Sequence, residues 1–104
     1  MHIQFNFANI PPSDALETHV RHELDATIGH LKDRITRVEV HLADTNGHHK
    51  HGPDDKRCML EARPEGMDPI AVESQAPEYH AAVSDAAGKL RRALTTRFER
   101  AAAR

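Results

Sequence analysis

Apolar residues along this chain recur first at every second place, then at every third or fourth, then at every second place again. Ile3, Phe5 and Phe7 alternate with His2, Gln4 and Asn6, the period of a strand with one buried face. Pro11 and Pro12 close that strand, and Ser13 stands where a helix would be capped, with Asp14 and Glu17 in the first turn. Leu16, Val20, Leu24, Ile28 and Leu31 follow at spacings of three and four, which predicts one apolar helical face. In Arg34–Asp44 the period returns to two, with Val38, Val40 and Leu42 alternating with Arg37, Glu39 and His41. Thr45–Lys56 holds no apolar residue and contains Gly47, Gly52 and Pro53, so it predicts a loop, long for a hairpin. Cys58, Leu60 and Ala62 then mark a third strand. Pro64, Glu65, Gly66, Asp68 and Pro69 mark a turn, and Ile70 and Val72 a fourth strand. Pro77 is expected in the first turn of a last helix, where its missing N–H is tolerated. The apolar face of that helix is Tyr79, Ala82, Val83, Ala86, Ala87, Leu90, Ala93, Leu94 and Phe98.

The order β-α-β-β-β-α predicts an α+β fold: one four-stranded sheet with two helices packed on one face, similar in architecture to a double-stranded-RNA-binding domain. The other face would carry Gln4, Arg37, Glu39, His41, Arg57, Glu61 and Arg63 to solvent or to a ligand. Residues 1–104 have room for a single domain with one modest core, and the terminal AAAR is expected to fray.

Charge divides this chain unevenly. From Gly88 onward six cations (Lys89, Arg91, Arg92, Arg97, Arg100, Arg104) stand against one acid, Glu99, or +5, and the formal net charge of −2 leaves −7 before Gly88. A basic helix end on an acidic chain points to a local anionic partner, RNA phosphate being the commonest. Stepped at about 100° per residue from Leu90, Lys89 and Arg100 fall on one flank of the apolar face and Arg91 on the other. Arg92 falls near the back and Arg97 close to the apolar stripe, so the cations form a collar.

Other chemistry has thin support. No apolar run is long enough to span a membrane, and Met1–Asp14 lacks the basic and apolar regions of a signal peptide. A lone cysteine, Cys58, excludes an intrachain disulfide framework and fits a reducing cytoplasm; on the apolar side of a strand it reads as a small core residue. Nine histidines are many for this length, with His48, His49 and His51 together in the loop, yet they have no cysteine partner and no fixed geometry, so no metal site is assigned. A surface so rich in histidine becomes more cationic below neutral pH. Gly47 and Gly52 stand alone and form no phosphate loop. No enzyme, no cofactor and no small-molecule substrate is expected.

Three segments carry a family resemblance: Asp33–Leu42 (DRITRVEVHL), Asp55–Gly66 (DKRCMLEARPEG) and His80–Leu94 (HAAVSDAAGKLRRAL), after an N-terminal strand and the helix start SDALETHV. In this order, over nearly its whole length, the chain resembles the ribosome hibernation promoting factor and ribosome-associated inhibitor A family, also called ribosomal subunit interface or sigma-factor modulation proteins. It resembles the short form, which lacks the C-terminal dimerisation domain of the long members. The resemblance implies binding of 16S rRNA in the small ribosomal subunit, at the subunit interface, and blockage of the mRNA and tRNA sites of idle ribosomes under stress. Positions matching the family's basic residues are Arg34, Arg37, Lys89, Arg92 and Arg100, with Arg91 and Arg97 added by neighbourhood and charge.

This chain departs from the family where the first helix is usually lysine-rich. His19, His22, Glu23, Asp25 and His30 stand there instead, Thr96 replaces a late basic residue, and His80 replaces an aromatic. Two further readings therefore stand beside the first: a small protein-interaction or dimerising module that kept the fold without tight RNA binding, and a generic double-stranded-RNA-binding domain. The latter wants lysines at the start of its final helix, where this chain has Pro77, Glu78, Tyr79 and His80.

Overall fold

The four alternating segments pair into one mixed sheet. A computed structural model describes residues 1–45 and 55–103. The elements are β1 (His2–Ala8), α1 (Asp14–Ile28), a 3-10 segment (Gly29–Arg34), β2 (Ile35–Asp44), β3 (Lys56–Pro64), β4 (Ile70–Ala76) and α2 (Tyr79–Ala102), and the strand order is β1-β2-β3-β4. β1 and β2 run parallel, so a crossover must join them, and α1 supplies it; β2, β3 and β4 are antiparallel neighbours. The expected α+β arrangement is the one observed.

Register places apolar residues in rows across the sheet. Phe5, Val40, Leu60 and Val72 stand opposite one another through all four strands, as do Ile3, Val38, Ala62 and Ile70. These rows face the helices. Val38, Val40, Leu60 and Ala62 are fully buried with Val20, Leu24 and Ile28 of α1 and Leu90 and Leu94 of α2. α2 meets the sheet through small residues, since Ala82, Ala86 and Ala87 are buried with Cys58 and Ala62 in the same core. Short side chains let a helix backbone approach a strand closely and leave no void. The intervening rows, Gln4–Glu39–Glu61–Ala71 and Asn6–His41–Met59–Glu73, face away.

Local details differ from the sequence expectation in three places. The register of β2 against β3 shifts between Ile35 and Arg37, so that Ile35 opposes Pro64 and Arg37 opposes Arg63. Strict alternation would put Ile35 outward with Arg37; the extra residue, Thr36, turns Ile35 inward, where it is 3% exposed. α1 ends at Ile28, and Leu31 is held half-buried by the 3-10 segment. A Cβ at Gly29 would lie 2.9 Å from Asp25 Oδ1, the end of an exposed side chain that can swing aside, and Gly29 itself has helical angles (φ −56°, ψ −34°). Pro77 lies outside α2: Glu78 is the extended N-cap residue (φ −132°, ψ 151°) and the helix begins at Tyr79. Of the terminal AAAR, Ala101 and Ala102 are the last residues of α2, Ala103 is its C-cap residue, and Arg104 lies outside the described residues. The start of α1 is as expected, with Leu16 N–H donating to Ser13 Oγ at 3.2 Å. So is the β3–β4 turn, where Met67 N–H donates to Pro64 C=O at 3.2 Å and Gly66 takes φ +73°. The histidine loop, with His48, His49 and His51, lies outside the described residues.

Two measurements check this core. Leu60→Ala should destabilise the fold by about 3 kcal/mol, within the range for a buried leucine truncation, read as a lower urea midpoint with an unchanged slope. Burial pushes the Cys58 thiol up to about 12, so a thiol reagent at pH 8 should label the protein only as fast as it unfolds. The neutral thiol is favoured by folding, so this contribution to stability is complete below the ordinary thiol value and is lost as pH rises through 9 toward 12.

Candidate nucleic-acid interface

Helix geometry distributes the cations of α2 around its core stripe, and the packing of the helix decides what each flank faces. Ser84 Oγ donates to Glu23 Oε1 of α1 at 2.7 Å, and the Arg34 guanidinium lies 3.7 Å over the Phe98 ring, so one flank of α2 faces α1 and the 3-10 segment. Arg91 lies on that flank, about 100° round from Leu90. Lys89 Nζ donates to the Glu73 carbonyl of β4 at 2.9 Å, and Arg97 Nη1 donates to the Asp68 carbonyl of the β3–β4 turn at 3.1 Å. The other flank therefore overhangs β4 and its turn.

On the β4 side the cations converge. Arg92, Arg97 and Arg100 line a groove of about 410 Å³ with Ile70, Ala93 and Thr96. A second groove of about 440 Å³ continues past Arg97 and Arg100 to Gly66, Met67 and Ala101. Arg97 is half-buried and committed to the turn, so it forms the floor; Arg92 and Arg100 are exposed above it. Three arginines on one helix, open to solvent on one side, suit a run of phosphates better than a single small anion. The sequence missed the share taken by Gly66, Met67 and Ile70. Only the folding of the turn against α2 brings them there, and no local signal marks it.

A polar hinge holds this flank in place. Ser74 is the inward residue of β4 opposite Cys58 and is 4% exposed, and its hydroxyl donates to Asp85 of α2. Lys89 Nζ sits 3.4 Å from the same carboxylate, one helical turn on. The Ser74 hydrogen bond, and after it the charges of Lys89 and Arg92, holds the Asp85 carboxyl below its usual range against the opposing effect of burial.

Not every basic position joins the cluster. Arg34 and Arg91 lie on the α1 side of α2. Arg37 projects from the outer face of the sheet, opposite Arg63 and 3.7 Å from Glu39, so the whole sheet stands between it and α2. That outer face is charge-balanced. Arg63 bridges Glu39 at 3.3 Å and Glu61 at 3.2 Å, and Arg57 donates to Glu73 at 2.7 Å. Among the described residues no group of three His, Cys, Asp or Glu is placed to hold a metal ion, and no helix is long and apolar enough to cross a membrane.

A family model described as sigma 54 modulation protein / S30EA ribosomal protein matches residues 3–102. No curated protein matches in sequence. Among solved structures, a ribosomal subunit interface protein from Coxiella burnetii aligns with a TM-score of 0.78 at 17% identity, covering 95% of this chain and 99% of that one. The N-terminal domain of Thermus thermophilus Protein Y aligns with a TM-score of 0.71 at 19% identity, covering 94% of this chain and 99% of its own. At these identities the likeness is one of fold.

Asp85→Asn tests the hinge. A depressed carboxylate adds stability above its unfolded value, and that stability is lost as pH falls through the folded value. The variant should therefore lower the urea midpoint at pH 7, and the difference from wild type should shrink as pH falls below the ordinary aspartate range of about 4.

Proposed function

Since the chain belongs to the sigma 54 modulation protein / S30EA ribosomal protein family, the ribosome hibernation group, we infer that it binds 16S rRNA in the small ribosomal subunit, at the subunit interface, and occludes the mRNA and tRNA sites. Members of this family are non-enzymatic, ribosome-associated factors. On this reading residues 1–104 act as one cytoplasmic ribosome-associated domain. The observation that carries it is the convergence of Arg92, Arg97 and Arg100 along the β4 flank of α2, on a chain that is otherwise acidic.

Each cation has a distinct part. Arg92 and Arg100 are exposed and bind phosphates directly. Arg97 holds the β3–β4 turn against α2 and lends its charge to the groove floor. Lys89 extends the positive strip toward β4. Arg34 and Arg91 form a separate, smaller basic patch toward α1, and Arg37 contributes only to a partner that also reaches the outer face of the sheet. Binding depends on salt in proportion to the phosphates this strip neutralises: each one adds roughly 0.7 to 0.9 to the logarithmic salt slope.

A second reading, a protein-interaction module without tight RNA affinity, is favoured by α1, which carries Asp14, Glu17, Glu23 and Asp25 against the single cation Arg21. Co-sedimentation with 30S and 70S particles at about 50 and 200 mM salt separates the two. Binding at the lower salt that falls at the higher is the expected result, and R92E/R100E should weaken it at least tenfold at about 50 mM salt, with an unchanged circular dichroism spectrum. No sedimentation at either salt would favour the protein-interaction reading. Undiminished binding of R92E/R100E would remove the β4 flank from the site.

A further inference from the structure

The two edges of the sheet are treated differently. β4 lies between Pro69 and Pro77, Lys89 reaches across it to the Glu73 carbonyl at 2.9 Å, and Glu73 pairs with Arg57. Charge, proline and cover are the usual ways of blunting an exposed edge. β1 has none of them. Its seven residues, HIQFNFA, include no Asp, Glu, Lys, Arg or Pro, and among the described residues no strand pairs with its outer side. Its inward residues Ile3, Phe5 and Phe7 are only half-buried, whereas their partners Val38, Val40 and Leu42 on β2 are buried. Phe5 and Phe7 stack with ring centroids 6.3 Å apart at this uncovered border.

The order of residues in β1 is self-complementary. Two copies run antiparallel about Phe5 set Phe5 opposite Phe5, Ile3 opposite Phe7, Gln4 opposite Asn6 and His2 opposite Ala8. Residues opposite each other in an antiparallel pair share a face. Apolar thus meets apolar on the helix side, amide meets amide on the outer side, and no like charges are opposed. A slip of one residue would set Phe5 against Asn6 and turn the helical layers of the two copies to opposite faces. One flank of α1 borders the same edge. Glu17, Arg21 and Asp25 follow at intervals of four, and the Arg21 guanidinium lies 5.2 Å over the Phe5 ring.

We propose that β1 pairs antiparallel with β1 of a second copy of this chain, joining two four-stranded sheets into one eight-stranded sheet with the helices of both copies on the same side. The pairing is isologous and closes at two copies. A seam of seven residues falls short of the roughly 800 Å² per partner of a stable complex, so the dimer is weak and forms with concentration. It stands independently of ribosome binding, because the basic flank of α2 lies at the opposite edge of the sheet and stays open in the dimer.

Sedimentation velocity of the wild-type chain at about 10 and 500 µM, the range where so small an interface associates, should show a rise from the 11.6 kDa chain mass toward twice that value. Q4K/N6K sets like charges opposite each other across the seam while facing Glu39 and His41 of its own β2, so it should fold normally by circular dichroism and stay monomeric at both concentrations. Mixing it with Q4E/N6E should restore a dimer containing one of each. A wild-type chain that stays monomeric at the higher concentration overturns the proposal, as does a Q4K/N6K chain that dimerises as well as wild type.

Discussion

Everything in this molecule depends on the register of β2 against β3. Val40 opposes Leu60, and through them the row runs from Phe5 at one edge to Val72 at the other. Side chains alternate between faces with a period of two, so a slip of one residue would turn Val38, Val40 and Leu42 to solvent and draw Arg37, Glu39 and His41 into the core. Desolvating three such groups without partners would cost more than the marginal stability of a small domain. Lys56 reinforces the same register at the loop end of the hairpin, with Nζ 3.2 Å from Asp44 and 2.9 Å from Asp55.

With the sheet set, α2 becomes the element that joins stability to recognition. Its alanines let it lie close on β3 and β4, and its remaining circumference must serve either solvent or a neighbour. On one flank it meets α1 through Ser84 and Phe98; on the other it hangs over β4 with Lys89 and Arg97 tied to backbone carbonyls. Cationic side chains tied in this way are already ordered, so less side-chain entropy remains to be given up when an anion arrives. Arg92 and Arg100 keep their freedom and stand where an extended polyanion would first touch. A chain of negative net charge thus presents one positive border.

The alternating and helical periods made every strand and both helices legible, along with nearly all of the core, because burial on one face imposes its period directly on the residues. Ile35 escaped, since its place in the alternation marks it as outward and only the bulge at Thr36 turns it in. The start of α2 was misplaced by two residues, because the extended Glu78 lies between Pro77 and the first helical residue. Basic residues were legible as a group and illegible as a site. Arg37 shares their charge and the family's pattern, yet it projects on the far side of the sheet from α2. Gly66, Met67 and Ile70 carry no charge at all, yet they line the groove.

The sequence by itself determined nearly all of the residues that would be buried, which elements would form, and that positive charge would gather on the last helix, because periodicity and charge are properties of neighbours along the chain. Only the tertiary structure decided which cations share a surface, which of them are tied to the backbone of β4 and its turn, and which sheet edge is left uncovered. Those are relations between segments far apart in sequence, set by how α2 lies across the sheet.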